Sequence, residues 1–234
     1  MKHVKDDIFS YWEMCREENV QVLQRGMNYR LNPSYSVFLM SQRHNAPYRD
    51  KAHDDGIIIE YEGHDVIRRN NYPKNEDQQV KLPSGKLTQN GLFIRAIEES
   101  KKGIRKPETV KIYEKIKSGI WTLKGYFDLI DYKQVNDGNR NVFVFTLKLS
   151  DKEKRNYEQR DNNTIERQHT RMIPSQVKLV VWKRDEGKCV LCGSNENLHF
   201  DHDLPFSKGG TSLTSRNIRL LCMKHNLQKS AKIE

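Results

Sequence analysis

Seven side chains near the carboxyl end could do chemistry. Cys189 and Cys192 stand in Cys189-Val-Leu-Cys192, and Cys222 and His225 repeat that spacing. Zinc prefers four soft or borderline ligands in a tetrahedron, and two such knuckles supply three thiolates and an imidazole with no position left open for substrate. Twenty-nine residues lie between the two pairs, enough for a strand and a loop. The bland alternative is three chance cysteines, which a spacing met twice disfavours. Asp201 and His202 lie between the knuckles, and Asn226 directly follows the second. Carboxylate and amide oxygens suit a hard, hydrated cation such as Mg²⁺. A neutral imidazole accepts a proton near neutral pH. The pattern is that of a structural metal clamping a second, water-activating site.

The elements that must position these groups are short. Leu198 to His202 reads as a strand that Pro205 and Gly209-Gly210 end in a loop. Asn217 to Leu221 reads as the returning strand, followed by a helix over 226–231. Such a β-β-helix unit would bring Asp201, His202 and Asn226 together. By strand alternation His199 and Asp203 share a face opposite His202. His199 is expected to pack, and Asp203 is a second candidate for the metal. Lys224 and Lys229 would suit phosphate contacts. Upstream, Ser175 is expected to cap a helix carrying Val177, Val180 and Val181 and ended by Gly187.

The 234 residues suit one large domain or two ordinary ones. Hydrophobic content of 35% and charged content of 31% fit a core-forming protein, and a cytosolic (prokaryotic) location is expected. No apolar run approaches a membrane span, and Met1 to Asp7 does not read as a signal peptide. The formal charge of +10 favours a polyanionic partner. Residues 151–234 carry 16 Lys and Arg against 11 Asp and Glu, and residues 1–150 carry 25 against 20, so each part is net +5. Both could touch a phosphate backbone. Three of the four cysteines sit in the metal pattern, which argues for ligation over disulfides. Cys15 is expected as a half-buried helix residue.

The remaining chain is β-rich. Residues 5–25 show helical spacing (Ile8, Tyr11, Trp12, Cys15, Val22 and Leu23), with an exit at Gly26 and Pro33. Strands are expected over 34–41, 56–65, 108–117, 120–131 and 141–149, and a helix over 91–99. The last two strands would be joined through Asn136-Asp137-Gly138-Asn139. Residues 66–90 read as a long polar loop, of the kind that is usually functional. Eleven of the 21 residues from Asp151 to Arg171 are charged, which marks a linker over 151–174. The expectation is an α+β protein: a curved sheet or barrel over 1–150 with an amino-terminal helix, then a small zinc-stabilised unit over 175–234.

From Val177 to Ile233 the residues resemble the HNH endonucleases, the zinc-clamped branch of the ββα-metal nucleases. The resemblance lies in Cys-x-x-Cys, Asp201-His202-x-x-Pro205, Gly209-Gly210 and Asn217-Ile-x-Leu-Leu-Cys222-x-x-His225-Asn226-x-x-Lys229. It implies that His202 is the general base, that Asp201 and Asn226 hold one Mg²⁺ or Mn²⁺, and that Asn217 braces the loop and orients His202. Asn226 stands where the family more often has histidine. Zn²⁺ in the Cys189, Cys192, Cys222 and His225 site would be structural. The products would be 5′-phosphate and 3′-hydroxyl ends.

The first 150 residues resemble SRA (SET and RING-associated) domains, in their bacterial form. The matching stretches are Ser34-Tyr-Ser-Val37, Tyr48 to Asp55, Gly56 to Asp65, Asp77-Gln78, Thr88-Gln-Asn-Gly91, Val110 to Ile116 and Gly125 to Tyr132. These domains bind modified cytosine by flipping it from the duplex, so a PUA-like barrel with a base pocket is implied. Tyr48 and Tyr61 match positions that sandwich the base. A carboxylate between Asp50 and Asp55, with Asp50 and Asp54 both open, would accept from the cytosine amino group, and Glu62, next to Tyr61, is counted in the same implied pocket. The loop 68–86 and the turn Thr88-Gln89-Asn90 would probe the grooves. 5-Methylcytosine is the expected base, and hydroxymethyl and glucosylated cytosine are not separable from it by sequence.

Together these readings imply a modification-dependent restriction endonuclease acting on double-stranded DNA. One such site cuts one strand, so a double-strand cut needs two protomers or two visits, and a homodimer is expected. The rivals are an HNH nuclease indifferent to modification and a zinc-stabilised DNA-binding protein without catalysis.

Overall fold

The structure, a computed structural model, describes residues 7–23, 25–43, 46–53, 56–65, 73–151, 172–205 and 208–229. Its centre is a mixed eight-stranded sheet. Strands β2 (Met27–Asn32), β3 (Tyr35–Met40), β4 (Lys51–His53), β5 (Ile58–Glu62), β6 (Glu108–Lys117), β7 (Ile120–Asn136) and β8 (Asn141–Leu149) lie in the order β2-β3-β6-β7-β8-β5-β4, and β1 (Ile8–Ser10) pairs with β7. Only β3 and β6 run parallel; every other named pair in the sheet is antiparallel.

Alternation along these strands supplies two apolar faces. Phe38, Ile112, Phe127 and Phe145 face α2 (Gln89–Lys101), which buries Phe93, Ile94 and Ile97 against them. Val37, Tyr113 and Leu123 face the other way and cover Phe9, Met14 and Cys15. Cys15 is thus fully buried, at 2% exposure. Register shifts at Ile112/Tyr113, Lys115/Lys117 and Leu129/Asp131 interrupt the ladders of β7 with its neighbours, which bends and twists a sheet. The expected barrel does not close through hydrogen bonds: among the described residues, the ladder path ends at β2 and β4.

The amino-terminal segment corrects the expected long helix. Ile8 to Ser10 pair with Thr122 to Ile120, and helix α1 spans only Tyr11–Glu17. Ser10 and Glu13 form a reciprocal capping box, so the helix starts where the strand stops. Strands β2 and β4 were not anticipated, since both are short and polar. Among the described residues, no helix is long and apolar enough to cross a membrane.

The carboxyl-terminal unit has its own core of Ile173, Val177, Val181, Leu198, Phe200, Ile218, Leu220 and Leu221. It contains α3 (Ser175–Arg184), an antiparallel pair of β9 (Leu198–His202) and β10 (Ile218–Cys222), and α4 (Met223–Lys229). Helix α4 begins three residues before Asn226, because the second knuckle is itself its first turn. Gly187 turns the chain after α3 at φ +66°, a conformation natural to glycine. Most of the expected linker, residues 152–171, lies outside the described residues. Its last part does not behave as a linker: Met172 plugs the core of the sheet and Ile173 that of the second unit.

Ser175 also differs from expectation. The cap of α3 is Pro174, and the Ser175 hydroxyl instead donates to Gln42 Oε1 at 2.6 Å and contacts Glu114 on β6. Buried Glu114 pairs with Lys124 at 3.1 Å, and buried Lys178 reaches Thr122 Oγ1 at 3.2 Å. Burial opposes ionisation of Glu114, but the charges of Lys124 and Lys178 outweigh it and hold its carboxyl below the usual range. Elsewhere along the contact, His199 Nδ1 on β9 lies 2.8 Å from Oδ1 of Asp7, the residue before β1. The two units therefore meet through hydrogen-bonded and ionic side chains.

Candidate functional site

The four zinc candidates come together. The ligand atoms of Cys189, Cys192, Cys222 and His225 all lie within 4.8 Å of one another. Cys192 Sγ is 3.8 Å from Cys222 Sγ, and His225 Nδ1 is 3.4 Å from Cys189 Sγ and 3.3 Å from Cys222 Sγ. Ligands at zinc-sulfur distance in a tetrahedron are about 3.8 Å apart, so the donor set and its spacing fit zinc. The local fold explains the gathering. The first knuckle is a turn closed by Cys189 N donating to Ser194 O at 2.7 Å and Gly193 N donating to Cys189 O at 2.8 Å. The second starts at the end of β10, and Val190 N donates to Leu220 O at 3.0 Å, tying one to the other. Burial opposes ionisation of Cys189, but backbone N–H groups of Cys222, Leu191 and Cys192 and the His225 ring outweigh it, and its thiol falls to about 6. A thiolate is the form that ligates metal.

Asp201 and His202 are neighbours at the end of β9, and successive strand residues point to opposite faces. Asp201 accordingly meets α4, where its Oδ2 accepts from Lys229 Nζ at 2.6 Å. His202 meets the following loop, with Nε2 2.8 Å from Ser212 Oγ. The imidazole is buried, at 6% exposure. Asn217 braces that loop on both sides. Its Oδ1 accepts from Leu204 N at 2.8 Å, and its Nδ2 donates to Leu204 O at 3.1 Å and Thr211 O at 3.0 Å. Gly210 is needed here for close approach, since a Cβ would lie 1.9 Å from Leu204 O and 2.8 Å from Asn217 Nδ2. Asn226 lies three residues before Lys229 on α4, a spacing that puts both on one helix face.

Several assignments change. Lys229 does not reach out for phosphate: it is 1% exposed, with its ammonium on Asp201 and on the carbonyl oxygen of His202. Lys224 is exposed on α4. Asp203 turns to Arg219 at 3.1 Å, away from a metal role. His199 packs at the seam with Asp7, and Ser212 was missed because no short motif marks it.

The expected base pocket divides. Tyr61 belongs to the core: its ring lies 4.4 Å from that of Phe38, and its hydroxyl donates to Leu39 O at 3.1 Å. It therefore cannot sandwich a base without leaving that core. Glu62, next along β5, faces the other way with Tyr48 and Asp50. Asp50 Oδ1 and Oδ2 accept from Glu62 N at 3.2 Å and Ser41 N at 3.1 Å, and Glu62 Oε2 accepts from Arg49 N at 2.8 Å. Asp54 lies outside the described residues. Asp65 and two residues from distant segments complete the group. Buried Arg140 donates to Asp65 at 2.6 Å and Glu62 at 3.4 Å, and Lys74 lies 3.2 Å from Asp65 and 4.0 Å above the Tyr48 ring. Burial and then the Asp65 charge push the Tyr48 hydroxyl up to about 12.

Beside this group a cavity of about 330 Å³ is lined by His64, Asp65, Gln79, Leu82, Thr88 and Gln89, among others. The turn expected to probe DNA grooves serves the fold instead. Thr88 caps α2, and buried Asn90 bonds both the N–H and the carbonyl of His64.

Burial raises Asp50 from 3.8 to about 7. The folded state thus keeps a proton that the unfolded chain releases across that interval. This contribution is full below 3.8, declines as pH rises to about 7 and is flat above. Asp50→Asn should remove that slope. Melting temperatures of both proteins across the interval measure it, and parallel profiles would refute the shift.

No protein-family model matches the chain, and no curated protein matches it. Solved structures do. The SRA domain of SUVH5 with hemimethylated CG DNA matches 64% of this chain and 89% of its own, at 19% identity and a TM-score of 0.45. The same domain with methylated CHH DNA matches over 62% and 88%, at 16% identity and a TM-score of 0.43. Arabidopsis thaliana SUVH6 with SAM matches over 63% and 26%, at 20% identity and a TM-score of 0.42.

Proposed function

We propose that this protein is a modification-dependent DNA endonuclease. Its carboxyl-terminal unit hydrolyses phosphodiester bonds, and its sheet unit chooses DNA by reading a flipped, modified cytosine, 5-methylcytosine first among the candidates. The observation that carries this reading is one small unit with two separate polar centres. The Cys189, Cys192, Cys222 and His225 cluster gathers at the knuckles; Asp201 and His202 end β9, Asn217 directly precedes β10, and Asn226 lies on α4.

The chemistry follows from the residues. His202 takes a proton from the attacking water. Its ring is held at Nε2 by the Ser212 hydroxyl, and a neutral imidazole is a base suited to neutral pH. Asn217 ties Leu204 to Thr211 beside it. Asp201 and Asn226 offer oxygens to a divalent cation, and the ammonium already drawn to Asp201 marks a position that favours positive charge. When bound, Mg²⁺ or Mn²⁺ supplies charge beside the leaving oxygen. On the sheet, Tyr48 offers a ring face and Asp50 and Glu62 offer carboxylates for a base edge. One such centre serves one strand, so double-strand cleavage calls for two protomers.

The deciding experiment compares cleavage of cytosine-methylated and unmethylated copies of one plasmid with Mg²⁺ or Mn²⁺. Preferential cutting of the methylated copy is expected. Equal cutting would leave a nuclease indifferent to modification, and no cutting of any modified DNA would leave a zinc-stabilised DNA-binding protein.

A further inference from the structure

Lys229 is the element of the candidate site that the proposed chemistry does not use. Its side chain runs from α4 into the unit and ends on Asp201 Oδ2 at 2.6 Å, with the His202 carbonyl as second acceptor. Lysine is almost never this buried unless paired, and Lys229 is 1% exposed. Among the described residues, Asp201 is the carboxylate within ion-pair distance of it. The Asp201 side chain keeps 23% exposure, so one side of it stays open to solvent.

We infer that Lys229 is a tethered cation that shares Asp201 with the catalytic metal and sets how weakly that metal is held. The inference rests on the reading of Asp201 as a metal ligand. Two cations on one carboxylate repel each other, and in a partly buried site solvent screens that repulsion poorly. The ammonium cannot withdraw easily, because burial without a counter-charge is costly. It therefore stays and opposes the incoming ion. It also does something useful when no metal is bound: it neutralises Asp201, so the site keeps its shape without its cation. Lys229 is on this account a positioning residue that acts through Asp201. A purely structural lysine would have the opposite signature, since its loss would loosen Asp201 and weaken metal binding.

The test is Mn²⁺ binding to the full-length, zinc-loaded protein, read from the electron paramagnetic resonance of free Mn²⁺. Wild type is compared with Lys229→Met, Lys229→Gln, Lys229→Arg and Asp201→Asn. Lys229→Gln keeps a donor for the His202 carbonyl, so it carries the test if Lys229→Met fails to fold. Zinc content and melting temperature check each variant. Both neutral variants should bind Mn²⁺ about tenfold more tightly, Lys229→Arg should match wild type, and Asp201→Asn should lose the site. Equal or weaker binding by the neutral variants, with Asp201 still required, overturns the inference alone. If no variant and no wild-type protein binds Mn²⁺ in an Asp201-dependent way, the metal reading of Asp201 falls and this inference falls with it.

Discussion

Replacing Cys189 with alanine is expected to unfold the carboxyl-terminal unit while the eight-stranded sheet stays folded. The carboxyl-terminal core is small, with ten buried residues in its cluster. A unit of this size rarely stabilises itself by apolar burial alone and usually needs a metal or cross-link. Structural zinc supplies roughly 10–16 kcal/mol at neutral pH in small domains, which is of the order of the whole stability of a domain. Cys189 is the most buried cysteine of the cluster, 2% exposed and 3.4 Å from His225. Its loss removes one of four ligands and opens the first knuckle. Zinc content should fall well below one per chain, limited proteolysis should digest the carboxyl-terminal unit first, and cleavage should vanish with it. A chelator acting on the wild type should reproduce each effect. Full zinc occupancy and an unchanged melting profile in Cys189→Ala would sink the assignment.

His202→Ala is expected to silence cleavage without those consequences. Positioned acid–base groups contribute about 10²–10⁴-fold to rate, so cutting should drop by at least that range. The imidazole lies outside the zinc cluster and its Nε2 partner is the Ser212 hydroxyl, so zinc content should stay at the wild-type level. DNA affinity should also hold, because binding is assigned mainly to the sheet unit and to exposed basic residues. Parallel measurements of cleavage, zinc and DNA binding separate this variant from Cys189→Ala. Retained cleavage would remove His202 from the mechanism. Lost zinc would turn it into a structural histidine.

The two variants are expected to differ because two separate sets of polar side chains share a short stretch of chain. His225 and Asn226 are adjacent, yet His225 faces the thiolates and Asn226 shares a helix face with Lys229. Asp201 and His202 are adjacent too, yet one meets α4 and the other the loop. In each case the side-chain period of the element gives neighbours different surroundings.

The grouping of Cys189, Cys192, Cys222 and His225, the bracing Asn217 and most of the central strands were legible in the sequence. Those features depend on short spacings: a knuckle is a turn, a strand is an alternation, and both are written within a few residues. What only the tertiary structure decided involves partners far apart in the chain. Tyr61 reads like a pocket aromatic, but its strand face turns it against Phe38. Lys229 reads like a surface lysine, but α4 packs it onto β9 and buries its charge on Asp201. Arg140 and Lys74 join Glu62 and Asp65 from separate segments, and Asp7 reaches His199 across the seam. No local spacing encodes such contacts. They arise when buried charges and polar groups, costly to leave unpaired, find each other as the sheet and the small unit pack.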